Sequence, residues 1–416
     1  MHILLFGFVL LRIDCREGRK RIMYNDGRIP GLTVVYMLVL LPFMRINAFN
    51  QLLPGFMHEA WQVIGMMSVV LLVVKSHKRL KPDSYFWLFT LFQGIVFAST
   101  IRHQRVSLGI LNVMVLMICL VILLQIHQKY IITAILYVVV PVAMLNCCTM
   151  LAGYSPNNLD NLFGGSNQLS MLLVPTIFLL YLHNGLKMRS KNSDLFLFLY
   201  VLVVLVSVFK GKSATGIIVV TFACFLLLFY SKRKPNVKGI IFGIIIINLI
   251  LLVSSSFLYN SRIWLEVTGL LGKDSSLSSR NILWEKMYDM LKGHWIFGVG
   301  RGFSVELISR YGEVYYFEEA HNFWLEILCE AGVVGFGIYL YMFLRTVFRM
   351  DMSQKTHKIV FFAICVCMIN GLTEANNNLV IVNLIFALAN EYVRDRHKKM
   401  NMQEMRHSAR YFRSLE

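Results

Sequence analysis

The feature that most constrains this chain of 416 residues is a succession of apolar runs separated by short polar segments. A transmembrane helix needs about 20 mostly apolar residues, and open strands cannot satisfy their backbone groups in lipid. The pattern therefore predicts an all-α polytopic membrane protein with about 12 transmembrane helices. The predicted spans are 31–49, 57–74, 85–101, 106–126, 130–151, 168–183, 194–209, 214–230, 238–258, 322–345, 358–374 and 376–393.

Composition agrees with a membrane protein. Hydrophobic residues make up 57% of the chain and charged residues only 15%, whereas soluble domains have roughly 45–50% and about 25%. The apolar start at 1–11 is too short to span a bilayer, and its basic stretch follows the apolar residues, unlike the order in a signal peptide. We therefore expect an interfacial anchor or part of a membrane helix there.

Lys and Arg cluster in alternate polar segments, and cytoplasmic loops carry the positive excess in membrane proteins. This pattern predicts that both termini are cytoplasmic and that one large loop, between the ninth and tenth predicted helices, is external. The net charge of +18 then reflects membrane topology, since no nucleic-acid-binding module is recognisable. We expect an N-terminal membrane region of about nine helices at 1–258, an external loop domain at 259–320, a C-terminal membrane region at 321–393 and a basic cytoplasmic tail at 394–416.

The external loop contains an amphipathic segment and a glycine-rich turn. Apolar residues recur at helical spacing after Arg280, so we expect a helix that can lie on the membrane surface and ends at Gly293. The turn at 298–302 contains Arg301, and without a preceding strand its glycines indicate a chain reversal and not a nucleotide site. The eight cysteines of the chain show no metal-ligand spacing, so we expect neither a metal nor a cofactor.

Several external cations depart from the positive-inside pattern. Arg102 and Arg105 lie in the turn after the third predicted helix, and Lys210 and Lys212 precede the eighth. Two interpretations stay open for them: binding of an anionic ligand such as a phosphate, or snorkelling to lipid headgroups. His321, at the start of the tenth predicted helix, is likewise either a helix-cap residue or a catalytic base.

Acidic residues also fall inside or between the predicted membrane helices. The tenth helix contains Glu326 and Glu330, and charged groups in a bilayer tend to be functional. We expect these two carboxylates to line a cavity below His321 or to pair with Arg45. Glu374, with the asparagines at 376–378, forms a polar break between the last two helices, which we interpret as an outer turn.

Four blocks of polar and glycine residues stand at the helix boundaries: 164–169, 211–216, 279–284 running on to 297–302, and 321–325 continuing at 330–335. Together they resemble the O-antigen ligase and polymerase family of bacterial cell-envelope proteins. The step His321-Asn322, followed by Leu325, is the most specific of these blocks. The resemblance covers roughly residues 150–390. The family commonly has arginine where Lys212 stands, and lysine lacks the forked contact of arginine with phosphate.

The resemblance implies a metal-independent membrane glycosyltransferase of the bacterial cytoplasmic (inner) membrane. The donor would be a glycan on undecaprenyl diphosphate at the outer leaflet, and the acceptor a second lipid-linked repeat unit, so that surface polysaccharide is polymerised. The implied catalytic residues are His321, as general base, with Arg280 and Lys212, which stabilise the diphosphate. Direct attack by the acceptor hydroxyl would invert the anomeric centre.

Further residues are expected to bind the substrate, and the chain is expected to contact membrane lipids and a regulator of polymer length. The expected substrate-binding residues are Lys210, Arg102, Arg105, Arg301, Glu319 (or its neighbour Glu318), Asn322 and Asn167.

Three other functions stay open at this point. A ligase would transfer the glycan to another envelope acceptor and shares the donor chemistry. A flippase for lipid-linked oligosaccharides would also carry cations facing a cavity, although it would usually show internal repeats. A non-catalytic envelope scaffold would need no such cluster. The discriminating observation is whether Arg280, Lys212 and His321 converge on one site.

Overall fold

The computed structural model describes residues 30–44, 46–153, 161–186, 191–230, 233–257, 280–311, 319–375 and 379–413. Within these ranges the chain is helical, and the only strand-like pairing is an isolated bridge between Asn161 and Gly164. The α-helices are α1 (Gly31–Leu40), α2 (Asn47–Leu52), α3 (Gly55–Ser76), α4 (Ser84–Arg102), α5 (Leu108–Leu151), α6 (Ser166–Leu186), α7 (Lys191–Lys210), α8 (Ala214–Phe229), α9 (Val237–Phe257), α10 (Arg280–Leu291), α11 (Ser304–Tyr311), α12 (Phe323–Phe348), α13 (Lys355–Asn370) and α14 (Val380–Arg413).

The described helices confirm an all-α, multi-pass membrane protein. Five of them are long and apolar enough to cross a membrane, while the count of twelve and the position of the large loop stay predictions. The five are Gly55–Arg79, Ser84–Arg102, Leu108–Leu151, Asn192–Lys210 and Phe323–Phe348.

The predicted spans 106–126 and 130–151 form one element, α5, instead of two helices joined by a loop. No glycine or proline stands between them, so nothing in the sequence ends the helix there. The interruption is confined to His127, whose backbone is non-helical (φ −116°, ψ 15°) and whose Nδ1 lies 2.8 Å from the Tyr36 hydroxyl. His127 is thus a buried kink within α5 that contacts α1.

The N-terminus of α12 is held by an aromatic cluster. Phe323 packs edge to face on Tyr339 and on Phe386, with ring centroids 5.8 and 6.2 Å apart. The contact of Phe323 with Phe386 therefore packs α12 against α14. Burial of such rings contributes strongly to the stability of a fold. This packing holds the start of α12, two residues after His321, against the rest of the bundle.

Residues 280–311 form a small second core on the start of α12. The apolar face of α10 is buried in the protein, and the Trp284 indole donates a hydrogen bond of 2.8 Å to the Ala320 carbonyl. The amphipathic face expected to lie on the membrane surface is therefore covered by protein. The buried residues of this core are Leu283, Trp284, Met287, Met290, Leu291, Val299, Phe303, Leu307, Ala320, Leu325 and Cys329.

Helix α12 is interrupted at Gly332, which has the left-handed φ of 62°. The segment 295–300 lies against this interruption and forms hydrogen bonds with the backbone groups of α12 that have lost their helical partners. The four backbone bonds are Val299 N–H to Cys329 O (2.7 Å), Gly300 N–H to Glu330 O (3.2 Å), Val333 N–H to Trp295 O (2.8 Å) and Val334 N–H to Ile296 O (3.2 Å).

Candidate active site

Three polar side chains from distant parts of the chain converge on one buried carboxylate. Glu374 lies in the turn after α13 and is 4% exposed. Its Oε1 accepts hydrogen bonds from Arg280 (2.5 Å) and from the Asn167 side-chain amide (2.7 Å). Its Oε2 lies 3.2 Å from Nδ1 of His321. Glu374 is thus the centre of a cluster drawn from α6, α10, the start of α12 and the turn after α13.

Arg280 is the first residue of α10, and its side chain is buried beside Glu374. A buried guanidinium without a counter-charge would cost several kcal/mol, so the carboxylate is what permits this burial. One of the five guanidinium donors bonds to Glu374, and the pair is electrically neutral. The positive charge of Arg280 is therefore balanced by the negative charge of Glu374.

His321 has a left-handed backbone (φ 49°) directly before Asn322, the cap of α12, and its side chain is 30% exposed. This combination keeps the ring at the surface of the cluster while Nδ1 faces Glu374. In the neutral tautomer that carries its proton on Nδ1, the Nδ1–H group donates a hydrogen bond to Glu374. The basic lone pair is then on Nε2. A carboxylate that accepts a hydrogen bond from one imidazole nitrogen is an arrangement used to orient a general base.

Asn322, expected to bind substrate, is fully buried and holds the site together. Its Oδ1 caps α12 by accepting from the backbone of Trp324 and Leu325, at 3.1 and 3.0 Å. Its Nδ2 donates to the Asn248 side chain (2.8 Å) and to the Leu372 carbonyl (3.1 Å). These bonds join α9, α12 and the turn that contains Glu374, so Asn322 fixes the spacing of His321 and Glu374.

The loop between α7 and α8 reaches the same cluster through Ser213. Its hydroxyl accepts from the Gly216 N–H (2.9 Å), which caps α8, and donates to Asn167 Oδ1 (2.8 Å). Lys212 directly precedes Ser213, has a left-handed backbone (φ 52°) and carries an exposed side chain, as does Lys210. Lys212 therefore directly precedes a residue that is hydrogen-bonded to Asn167 of the Glu374 cluster, and its own exposed side chain has no described contact with Glu374.

Two of the expected substrate-binding arginines are engaged elsewhere, at the glycine-rich turn. Arg105 forms an ion pair with Glu306 and donates to the Val299 carbonyl (3.1 Å). Arg301 pairs with the fully buried Glu330 at 2.9 Å. These bonds attach residues 280–311 to the turn after α4 and to α12, and they give both cations a protein partner.

The remaining expected residues lie at varied positions. Arg102 is exposed at the end of α4, and Glu319 is half-buried two residues before His321. Burial, followed by the positive charge of Arg105, lowers the pKa of His103, so that histidine adds no cation at neutral pH. Glu318 and Arg45 lie outside the described residues, as does the break at 376–378.

Sequence reasoning missed the role of Glu374, which we interpreted only as part of an outer turn. A signal was present, because a single carboxylate between two long apolar runs is costly in a membrane and tends to be functional. Among the residues that the structure describes, no group of histidine, cysteine, aspartate and glutamate side chains could hold a metal ion.

Residues 196–340 match the family model described as O-antigen ligase. The matched region runs from α7 into α12 and contains Lys212, Arg280 and His321, whereas Asn167 and Glu374 lie outside it. No curated protein matches the chain. The match confirms the resemblance on which the expected donor and acceptor were based.

Proposed function

We propose that this chain polymerises lipid-linked glycan repeat units into surface polysaccharide, because residues 196–340 match the family model described as O-antigen ligase. The donor is a glycan on undecaprenyl diphosphate, and the acceptor is the hydroxyl of a second lipid-linked unit. The observation that carries this proposal is the sharing of Glu374 by His321 and Arg280. One carboxylate thereby places a base and a phosphate-binding cation side by side.

In the proposed reaction, the acceptor hydroxyl attacks the anomeric carbon of the donor while Nε2 of His321 accepts the hydroxyl proton. The bond between the anomeric carbon and the diphosphate oxygen breaks, and the lipid diphosphate leaves with the electron pair. Attack from the face opposite the leaving group inverts the anomeric centre. Glu374 orients the imidazole and stabilises the imidazolium that forms.

The departing diphosphate needs positive charge, which the side chains of this site supply without a metal. Arg280 offers the donors that do not bond to Glu374, and a guanidinium suits phosphate oxygens in a forked contact. Lys212 and Lys210 are exposed at the adjoining loop and act as point charges. Preorganised charge of this kind is usually a large part of enzymatic catalysis.

A ligase is the second candidate, and the description of the matching family model favours it. Ligase and polymerase share the donor chemistry and differ in the acceptor. A flippase is favoured less, because transport does not need an imidazole oriented by a carboxylate. The acceptor is therefore what an experiment must identify.

We expect His321→Ala to lower glycan transfer roughly 10²-fold to 10⁴-fold, the usual contribution of a general base. The measurement is the length distribution of the glycan in cells that carry the variant as the sole copy. Material that stalls at one repeat unit supports a polymerase, and full-length polymer left on its lipid carrier supports a ligase. His294→Ala serves as the control, since that ring contacts His103 and not Glu374. An unchanged ladder for His321→Ala would remove this residue from the mechanism.

We expect Lys212→Gln to slow transfer roughly 10-fold to 100-fold, because a hydrogen bond to a charged group contributes about 1.5–3 kcal/mol. Lys212→Arg should retain most of the activity, since it keeps the charge. The exposed position of Lys212 means that stability should change by no more than about 0.5 kcal/mol. Lys292→Gln, at another exposed lysine, is the control. Equal rates for Lys212→Gln and Lys212→Arg would contradict a role for the charge.

A further inference from the structure

Three consecutive apolar side chains are exposed in the turn between α10 and α11. Trp295, Ile296 and Phe297 are 40%, 63% and 48% exposed. Scattered apolar residues are normal on a protein surface, but a contiguous patch marks contact with another apolar phase. Whether that phase is the hydrocarbon of the membrane depends on how far along the membrane-spanning helices this segment lies.

The distance along the axis of α4 gives this depth on one side of the segment. Arg345, near the end of α12, donates a hydrogen bond to the Ser84 hydroxyl at the start of α4, so these two residues share one level. A rise of about 1.5 Å per residue places Ser99 ~22 Å from Ser84 along the helix axis. The Ser99 hydroxyl donates to the Phe297 carbonyl. Phe297 therefore lies ~22 Å or less from the Ser84 level.

The distance along the axis of α12 gives the same depth independently. Val333 lies ~18 Å from Arg345 at the same helical rise, and its N–H donates to the Trp295 carbonyl. The hydrocarbon core of a bilayer is about 30 Å thick. With the charged residue Arg345 at one edge of that core, the turn lies ~8–12 Å inside the other edge. Any tilt of the two helices lowers these heights and places the turn deeper.

Non-helical backbone is tolerated at this depth only where its polar groups have protein partners. The segment 295–300 meets that requirement through the interruption of α12 at Gly332, as the backbone bonds described above show. The N–H of Gly298 is also used, by the His294 carbonyl at 2.7 Å. The main chain thus has protein partners for these polar groups and does not need water to satisfy them. The three apolar side chains point away from the protein.

We infer that residues 295–300 form a re-entrant segment in the leaflet beside α4 and α12, with Trp295, Ile296 and Phe297 in contact with lipid acyl chains. The exposed side chains of Val333 and Val334 continue this surface along α12. Lys292, whose side chain is 75% exposed and paired with Asp289, marks where the chain leaves the aqueous side. The segment anchors residues 280–311, including Arg280, at a fixed depth.

The test compares Ile296→Cys with Lys292→Cys in proteoliposomes that contain no lipid-linked glycan. Both positions are exposed on the protein, and the negative charge of Asp289 beside Lys292→Cys would slow its labelling, so faster labelling there reports the surrounding medium. A water-soluble maleimide should label Lys292→Cys at least roughly 10-fold faster, because thiolate forms poorly in hydrocarbon. The unaltered chain gives the background from its own cysteines, and labelling after denaturation in SDS should be equal. Equal rates before denaturation would overturn the inference, as would protection that appears only when lipid-linked glycan is added.

Tryptophan fluorescence provides a second measurement on the native side chain. Phospholipids brominated on their acyl chains should quench the chain more than they quench Trp295→Phe. The difference between the two spectra isolates Trp295, which stacks on Tyr288 at 6.5 Å. Identical quenching of both proteins would place this ring outside the acyl region and overturn the inference.

Discussion

Glu374→Ala is expected to abolish glycan transfer and to lower the free energy of unfolding by about 3–5 kcal/mol. The two effects have different causes. Removing the carboxylate leaves the buried guanidinium of Arg280 without a counter-charge, which destabilises the fold. It also removes the acceptor that orients Nδ1 of His321, which destroys the proposed base. Thermal unfolding in detergent measures the first effect, and the glycan ladder measures the second.

Two further variants separate catalysis from folding. Glu374→Gln keeps the shape of the side chain but removes its charge, and we expect a loss of roughly 10²-fold or more in transfer. The double variant Arg280→Gln with Glu374→Gln removes both charges, so it should regain much of the stability while staying inactive. Wild-type transfer by Glu374→Gln would show that the carboxylate does not serve the imidazole.

Gly298→Ala is expected to destabilise the protein by at least about 4 kcal/mol, which is exceptional for a single methyl group. Gly298 has φ +72°, and a Cβ there would lie 2.4 Å from the Cys329 carbonyl oxygen and 2.6 Å from the Gly332 nitrogen. Because both neighbours are backbone, the methyl group can be accommodated only by separating 295–300 from α12. The measurement is the midpoint of thermal unfolding in detergent.

Gly293→Ala is the matched control for this steric argument. Gly293 also has a left-handed backbone (φ +85°), but a Cβ there would meet nothing within 4 Å. Its substitution should cost only the left-handed penalty of about 1–2 kcal/mol. Similar unfolding midpoints for the two variants would mean that the close approach of Gly298 to α12 contributes little to stability.

The all-helical character of the described chain follows from the sequence, because lipid leaves the backbone few alternatives, whereas the predicted span 31–49 is in fact two helices, α1 and α2. Asp83 and Asn322 cap α4 and α12, as expected of Asp and Asn before an apolar run. Arg280 and His321 were also identifiable as candidates from their motifs. Hydropathy could not indicate that His127 is a kink within one helix, where its ring contacts Tyr36 of another helix.

The partners of the charged residues could not be predicted, because they are set by tertiary packing. An arginine in an outer turn has the same sequence pattern whether it binds a substrate phosphate or a protein carboxylate. Arg105 and Arg301 bind the carboxylates of Glu306 and Glu330. The convergence of Asn167 and His321 on Glu374 likewise joins segments far apart in the chain.

One carboxylate shared by an imidazole and a guanidinium has a consequence for timing. While the imidazole is neutral, the electrostatic attraction of Glu374 is directed mainly at Arg280. Once the imidazole gains a proton, it is a second cation beside Arg280, and its repulsion partly offsets the attraction between Glu374 and the guanidinium. In the proposed reaction that moment coincides with the appearance of charge on the departing phosphate. Proton uptake and capture of the leaving group would then be synchronised through a single side chain.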